Sequence, residues 1–133
     1  MPCLFLPGVS IVEIASVEVR ETYLYVKGKG TFSVDGALRG FQNLVEISIK
    51  HKRQHILADL CDVSGDENVL SLYEVGVQMP KYWKGIRSLA ILNRPEQILP
   101  DRFWQNVTRN QGLNTAVFDN LPEAVTWLER HAE

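Results

Sequence analysis

The chain predicts an α/β fold, read as one domain over residues 1–133. It has a mixed sheet of about five strands, an N-terminal hairpin followed by parallel β-α-β crossovers, and about four helices. Three observations predict it. Ile56, Leu57 and Ala58 follow one another without alternation and end at Asp59, the pattern of a strand buried on both faces inside a parallel sheet. Apolar residues at spacings of three and four precede and follow that run, as helices between strands require. Ahead of both, Tyr23 to Lys27 (YLYVK) alternates as the return strand of a hairpin does.

In chain order, Ile11 to Val19 (IVEIASVEV) is β-rich but changes parity: Val12 and Ile14 share one face, Val17 and Val19 the other. A bulge near Ala15-Ser16 reconciles them. After the turn at Arg20 to Thr22 and the YLYVK strand, Gly28, Gly30 and Gly36 loosen the backbone. GKGTFSVDG lacks the spacing of a dinucleotide-binding turn, and no cofactor is expected there. From Val34 the stripe Leu38, Phe41, Leu44, Val45, Ile49 predicts a helix stopped by His51-Lys52-Arg53. The buried strand follows. Val69, Leu72, Tyr73, Gly76 and Met79 then predict a second helix that Pro80 ends or kinks. Ile86 to Leu92 reads as the next buried strand. Pro100 suits a first helical turn, Asp101 complements its dipole, and Phe103, Trp104 and Val107 face inward before Gly112. Leu113 to Phe118 is the last strand. Asn120 and Glu123 have capping-box spacing, and Leu121, Ala124, Trp127 and Leu128 supply the apolar face of a closing helix.

Composition narrows the function. With 133 residues, 45% hydrophobic and 23% charged, the chain has the make-up of a globular domain that buries a core without disulfides or metals. A net charge of −2 without a basic block argues against a nucleic-acid partner. Met1 to Gly8 has apolar residues but no cationic start, and Pro7-Gly8 ends the run far short of a signal peptide or span. No stable membrane insertion is expected, and the expected compartment is the cytoplasm. The two cysteines, Cys3 and Cys61, lack metal-ligand spacing, so no metal site is expected.

The buried strand should open into a loop at the carboxyl edge of the sheet, where open α/β sheets hold ligands. Asp59, Cys61, Asp62, Ser64, Gly65 and Asp66 are the candidate partner-binding residues there. Asp59 would cap its strand and pair with Arg94 from the neighbouring exit, and Ser64 would cap the second helix. Cys61 has no base: His55 stands at the other end of the strand, about 20 Å away at roughly 3.3 Å per residue. Asp59, Asp62, Asp66, Glu67 and Asp119 lack the order of a magnesium-dependent phosphoaspartate receiver. Met79, Tyr82, Trp83, Phe103 and Trp104 come from the second and third helices and form a candidate groove for a small apolar ligand or a partner. Lys81 and Lys84 beside that groove would give only weak attraction to a membrane surface.

Ile56–Gly65 (ILADLCDVSG), Arg102–Asn114 (RFWQNVTRNQGLN) and Val117–Leu128 (VFDNLPEAVTWL), in this order of elements, resemble the SpoIIAA-like family. That family is part of the STAS group (sulfate transporter and anti-sigma antagonist), which overlaps with Sec14-type folds. The resemblance spans nearly the whole chain. It implies a small cytoplasmic bacterial protein that is not an enzyme and, in the best understood relatives, a binding role switched by serine phosphorylation. Anti-sigma antagonists carry an Asp-Ser-Ser-Gly type sequence at the start of the next helix. Here Asp62-Val63-Ser64-Gly65-Asp66-Glu67 has one serine, Ser64, as the phosphoacceptor candidate, and Asp66 and Glu67 would repel the phosphate. The resulting expectation is a non-enzymatic regulatory domain that binds a protein partner through the Cys61–Glu67 loop and the second helix; a homodimer is compatible with it. The alternative is a carrier or sensor of a small apolar or lipid-like ligand, as the Sec14 side suggests.

Overall fold

A computed structural model of the chain describes residues 12–65 and 68–132. The expectations for Met1 to Gly8, Cys3, Ile11, Asp66 and Glu67 lie outside the described residues, as do those for the side chains of Val12 and Asp101.

Strand β1 (Val12–Val19) turns back into β2 (Leu24–Thr31), and the two pair antiparallel with a register shift between Ile14 and Ser16. This is the expected bulge. It brings Ile14 and Val17 onto the same core despite their opposite parity in sequence. Helix α1 (Val34–His51) begins where Ser33 Oγ accepts from the Gly36 N–H at 2.9 Å. It ends where Lys52, in the left-handed region at φ 55°, turns its N–H back to Ile49 O. Then come β3 (His55–Ser64), α2 (Val69–Gln78) with a 3-10 turn at Met79–Lys81, and β4 (Ser88–Leu92). After β4 the chain makes 3-10 turns at Pro95–Gln97 and Pro100–Arg102, then α3 (Phe103–Asn110), β5 (Thr115–Phe118) and α4 (Leu121–His131).

The strands lie side by side in chain order, β1-β2-β3-β4-β5, with β2 through β5 parallel. Right-handed crossovers between consecutive neighbours bring every crossover helix to one face. Accordingly Leu24, Val26, Ile56, Ala58, Leu89, Ile91 and Val117 pack with Leu38, Phe41 and Leu44 of α1, Val75 of α2 and Met79 just beyond it, with Trp104 of α3 against them. The opposite face has one helix. There Leu57, Ala90 and Leu92 meet Ala124 and Leu128 of α4, both fully buried, with Tyr23, Tyr25, Phe118 and Trp127 around them.

Four expectations need correction. Pro100 opens a 3-10 turn rather than α3 itself, because Arg102 takes a left-handed φ of 51° and interrupts the helix. Leu121 and Ile49 point to solvent, since each extends an apolar stripe past the width of sheet available to cover it. In α2 the inward line is Leu72, Val75, Gly76 and Met79, and Val69 and Tyr73 are exposed. The predicted strand at residues 86–92 starts only at Ser88, although Ile86 is buried.

Gly76 fixes how closely α2 and α3 approach: a Cβ there would lie 2.6 Å from Val107 Cγ1 and 3.5 Å from Thr108 Cγ2. Gly76→Ala should therefore force the helices apart and cost about 1–3 kcal/mol despite alanine's better helix propensity. A lowered midpoint in urea unfolding, with unchanged slope, is the expected result.

Candidate functional site

β3 does not end at Asp59. It pairs with β2 as far as Ser64, with Lys29 opposite Asp62, Gly30 opposite Val63 and Thr31 opposite Ser64, past a register shift between Lys27 and Lys29. Cys61, Asp62 and Ser64 are therefore strand residues rather than members of a loop, and Gly65, at φ 113°, begins the exit. The sequence hid this extension because the run Asp59–Asp62 (DLCD) is half polar, and polar residues in a strand need partners that only the fold reveals. Buried Asp59 has two: it accepts from Tyr25 Oη through Oδ2 and from the Cys61 N–H at 3.1 Å through Oδ1. It does not pair with Arg94, which turns to Glu96 at 3.4 Å. Burial and the bond to Asp59 push the Tyr25 phenol well above its ordinary range. Burial, with Asp59 and Asp62 adding, pushes the half-buried Cys61 thiol up to about 11, so it stays protonated at neutral pH and is a poor nucleophile. Its Sγ faces Leu92 O at 3.8 Å.

Ser64 is exposed, and its hydroxyl donates to Gly30 O at 3.2 Å. It does not cap α2. That role belongs to Asn68, whose side chain accepts from the Ser71 N–H at 2.9 Å. The first turns of α2, close in sequence to Ser64, present Leu70 75% exposed, Val69 53% and Tyr73 49%. Lys27 in the middle of β2 pairs at 3.3 Å with Asp62 near the end of β3.

An apolar, half-enclosed cavity of about 140 Å³ lies between the sheet and helices α1, α2 and α3. Its floor runs across the sheet from Ile14 of β1 through Val26, Ala58 and Ile91 to Val117 of β5, and its walls include Phe41, Leu72, Met79, Phe103 and Trp104. Three of the five predicted groove residues thus line it. Tyr82 and Trp83 do not: both pack on the main core, and Trp83 stacks on Phe41 with ring centroids 5.6 Å apart. The sequence reading missed the rim, which comes from the segment after β4: Asn93, Gln97, Ile98, Leu99 and Arg102. Gln97 fastens that segment to the end of β3. Its Nε2 donates to Leu60 O at 3.0 Å and Val63 O at 2.8 Å, and its Oε1 accepts from the Arg94 N–H at 2.6 Å. The apolar pair Ile98-Leu99 between two prolines, just past a strand exit, was the available signal.

No family model matches the chain, and none of the curated proteins matches it. Solved structures do. An anti-sigma factor antagonist from Mycobacterium paratuberculosis superposes with a TM-score of 0.56 at 13% identity, covering 89% of this chain and 94% of that one. An uncharacterized DUF3478-family protein with a SpoIIAA-like fold, from Shewanella loihica PV-4, gives 0.53 at 17% identity, covering 93% and 98%. This chain has the SpoIIAA-like fold. The mixed five-stranded sheet and the four helices are those of that fold, and the cavity and Ser64 both lie toward the carboxyl ends of its parallel strands.

Among the described residues no three His, Cys, Asp or Glu side chains gather where they could hold a metal, and no helix is long and apolar enough to cross a membrane. The buried polar pair His55 and Ser88, with Nδ1 2.6 Å from Oγ, sits at the opposite, amino edge of the SpoIIAA-like sheet. Burial, with Arg87 and His131 adding, lowers the His55 pKa below its ordinary value. As pH falls through about 6.5 the unfolded chain takes up this proton before the folded one does. Stability from His55 is therefore present above that pH and lost below it. Melting temperature should fall between pH 7.5 and 5.5, and His55→Asn should flatten that fall.

Proposed function

We propose that this is a non-enzymatic regulatory domain, a single cytoplasmic unit that binds a protein partner through the end of β3 and the exposed face of α2. The observation that carries the reading is the run of large apolar side chains left in solvent on the first turns of α2. Leu70, Val69 and Tyr73 cluster within five residues, whereas the other large apolar side chains that stand exposed among the described residues, Val19, Ile49 and Leu121, are scattered singly over other elements. A tyrosine flanked by aliphatic residues is the make-up of an interface centre, and the neighbouring polar groups at Asp62 and Ser64 suit its rim. The fold likeness to an anti-sigma factor antagonist supports a regulatory role. The thiol of Cys61, held protonated by burial and by the neighbouring carboxylates of Asp59 and Asp62, supports a role outside catalysis.

Ser64 fits a switch on this surface. A phosphate there replaces the donor that holds Gly30 O and sets a dianion two residues from Asp62, so both the end of the β2–β3 ladder and the charge of the partner surface change. The cavity favours a second role, binding of a small apolar ligand.

Affinity capture from the source cell lysate, quantified by mass spectrometry, tests the partner surface. Leu70→Asp and Tyr73→Asp should each reduce capture of a specific partner at least tenfold with little change in melting temperature, and Ile49→Asp should leave it unchanged. Equal capture by all of these variants would place the partner surface elsewhere. Intact-mass measurement of the same protein, followed by peptide fragmentation to place any added phosphate, reads whether Ser64 carries it.

A further inference from the structure

We infer that the cavity between the sheet and helices α1 to α3 binds a compact aryl or short branched carboxylate, with its apolar group inside and its carboxylate at Arg102. The inference rests on the reading of the cavity as a ligand site and specifies the ligand. Size comes first. An engineered apolar cavity of about 150 Å³ takes up benzene. At about 140 Å³ the space here accepts one six-membered ring or an equivalent branched chain, and it is too small for a membrane lipid. The lining that a ring would meet is apolar on every side, with Val26 and Ala58 below and Phe41, Leu72 and Phe103 around it.

The head group follows from the charges at the two ends. Glu13 on edge strand β1 lines one end. At the other, Arg102 lines the rim and its guanidinium donates one bond to Val117 O, which ties it to the last strand of the sheet and, among the described residues, leaves other N–H donors of its five unused. Arg102 forms no ion pair among the described side chains. It is also held in the left-handed region at φ 51°, unusual for a residue with a side chain, so its backbone direction is imposed by the surrounding fold. Half-buried Asn93, also on the rim, makes no side-chain hydrogen bond among the described residues and offers an amide donor. A carboxylate is attracted to the Arg102 end and repelled from the Glu13 end, which orients the ligand. Because the cavity is half-enclosed, the head group keeps contact with water and the apolar part alone is desolvated.

The test uses full-length protein and three ligands of one ring each: toluene, phenylacetate and phenethylamine. Binding is read by nuclear magnetic resonance titration. All should shift residues lining the cavity, with phenylacetate binding at least tenfold more tightly than phenethylamine. Arg102→Gln should weaken phenylacetate about tenfold and leave toluene unchanged, and Arg102→Lys, which keeps the cation, should restore most of the difference. Ala37→Leu, which fills the cavity, should abolish binding of all three without lowering the melting temperature. Toluene binding with no preference for phenylacetate, or with equal loss for both in Arg102→Gln, would overturn the carboxylate assignment and leave the apolar site standing. Failure of all three ligands to bind would overturn both.

Discussion

Parallel pairing of β3 between β2 and β4 is the constraint on which the rest of the molecule depends. With the four parallel strands β2 to β5 adjacent in chain order, each connection must be a crossover of the same hand, and three crossovers of one hand put α1, α2 and α3 on the same side. That side therefore holds the larger core, while α4 alone covers the other. The unalternated run Ile56-Leu57-Ala58, at 2% exposure or less throughout, is the consequence at residue level: the strand has no face that can be polar over that stretch. Beyond it, where β3 runs past the end of β4, the strand turns polar and its groups are taken up one by one. Asp59 is held by Tyr25 and the Cys61 N–H, and the Leu60 and Val63 carbonyls by Gln97.

The same geometry yields both the exposed face of α2 and the cavity. On their face of the sheet the three helices leave a gap toward the carboxyl ends of the strands, the cavity lined by Asn93, Gln97 and Arg102. Helix α2 is the element most released by this arrangement. It packs inward through Val75 and Gly76, touches α3 closely at Val107, and leaves the apolar residues of its first turns outside. Leu72 and Val75 of α2 line the cavity while Val69, Leu70 and Tyr73 of the same helix stand in solvent, so a ligand in the cavity and a partner on the proposed surface would act on one helix.

Much of the fold was legible in the sequence because its signals are periodicities that burial enforces. The bulge at Ala15-Ser16, the stop of α1 near Lys52, the Asn120 cap of α4 and the strands at Ile56 and Ala90 all follow from local pattern or cap chemistry. The failures share a cause. Which apolar residues of a stripe are covered depends on where neighbouring elements end, so Val69, Tyr73, Ile49 and Leu121 could not be placed outside from spacing alone. The partner of Asp59 is Tyr25, 34 residues away on an adjacent strand, a contact that register rather than sequence spacing creates. The cavity's aromatic wall was half legible: Met79, Phe103 and Trp104 were found from helix faces. Its polar rim, Asn93 just past β4 and Gln97 and Arg102 in 3-10 turns, comes from segments that carry no periodicity.

Hydrogen exchange on the protein alone and in complex with its captured partner tests the central claim most directly. The account predicts that added protection concentrates in the segment from Ser64 through Tyr73, with α4 and the amino edge around His55 unchanged. Protection centred on α4, with the first turns of α2 exchanging as fast as in the free protein, would contradict it.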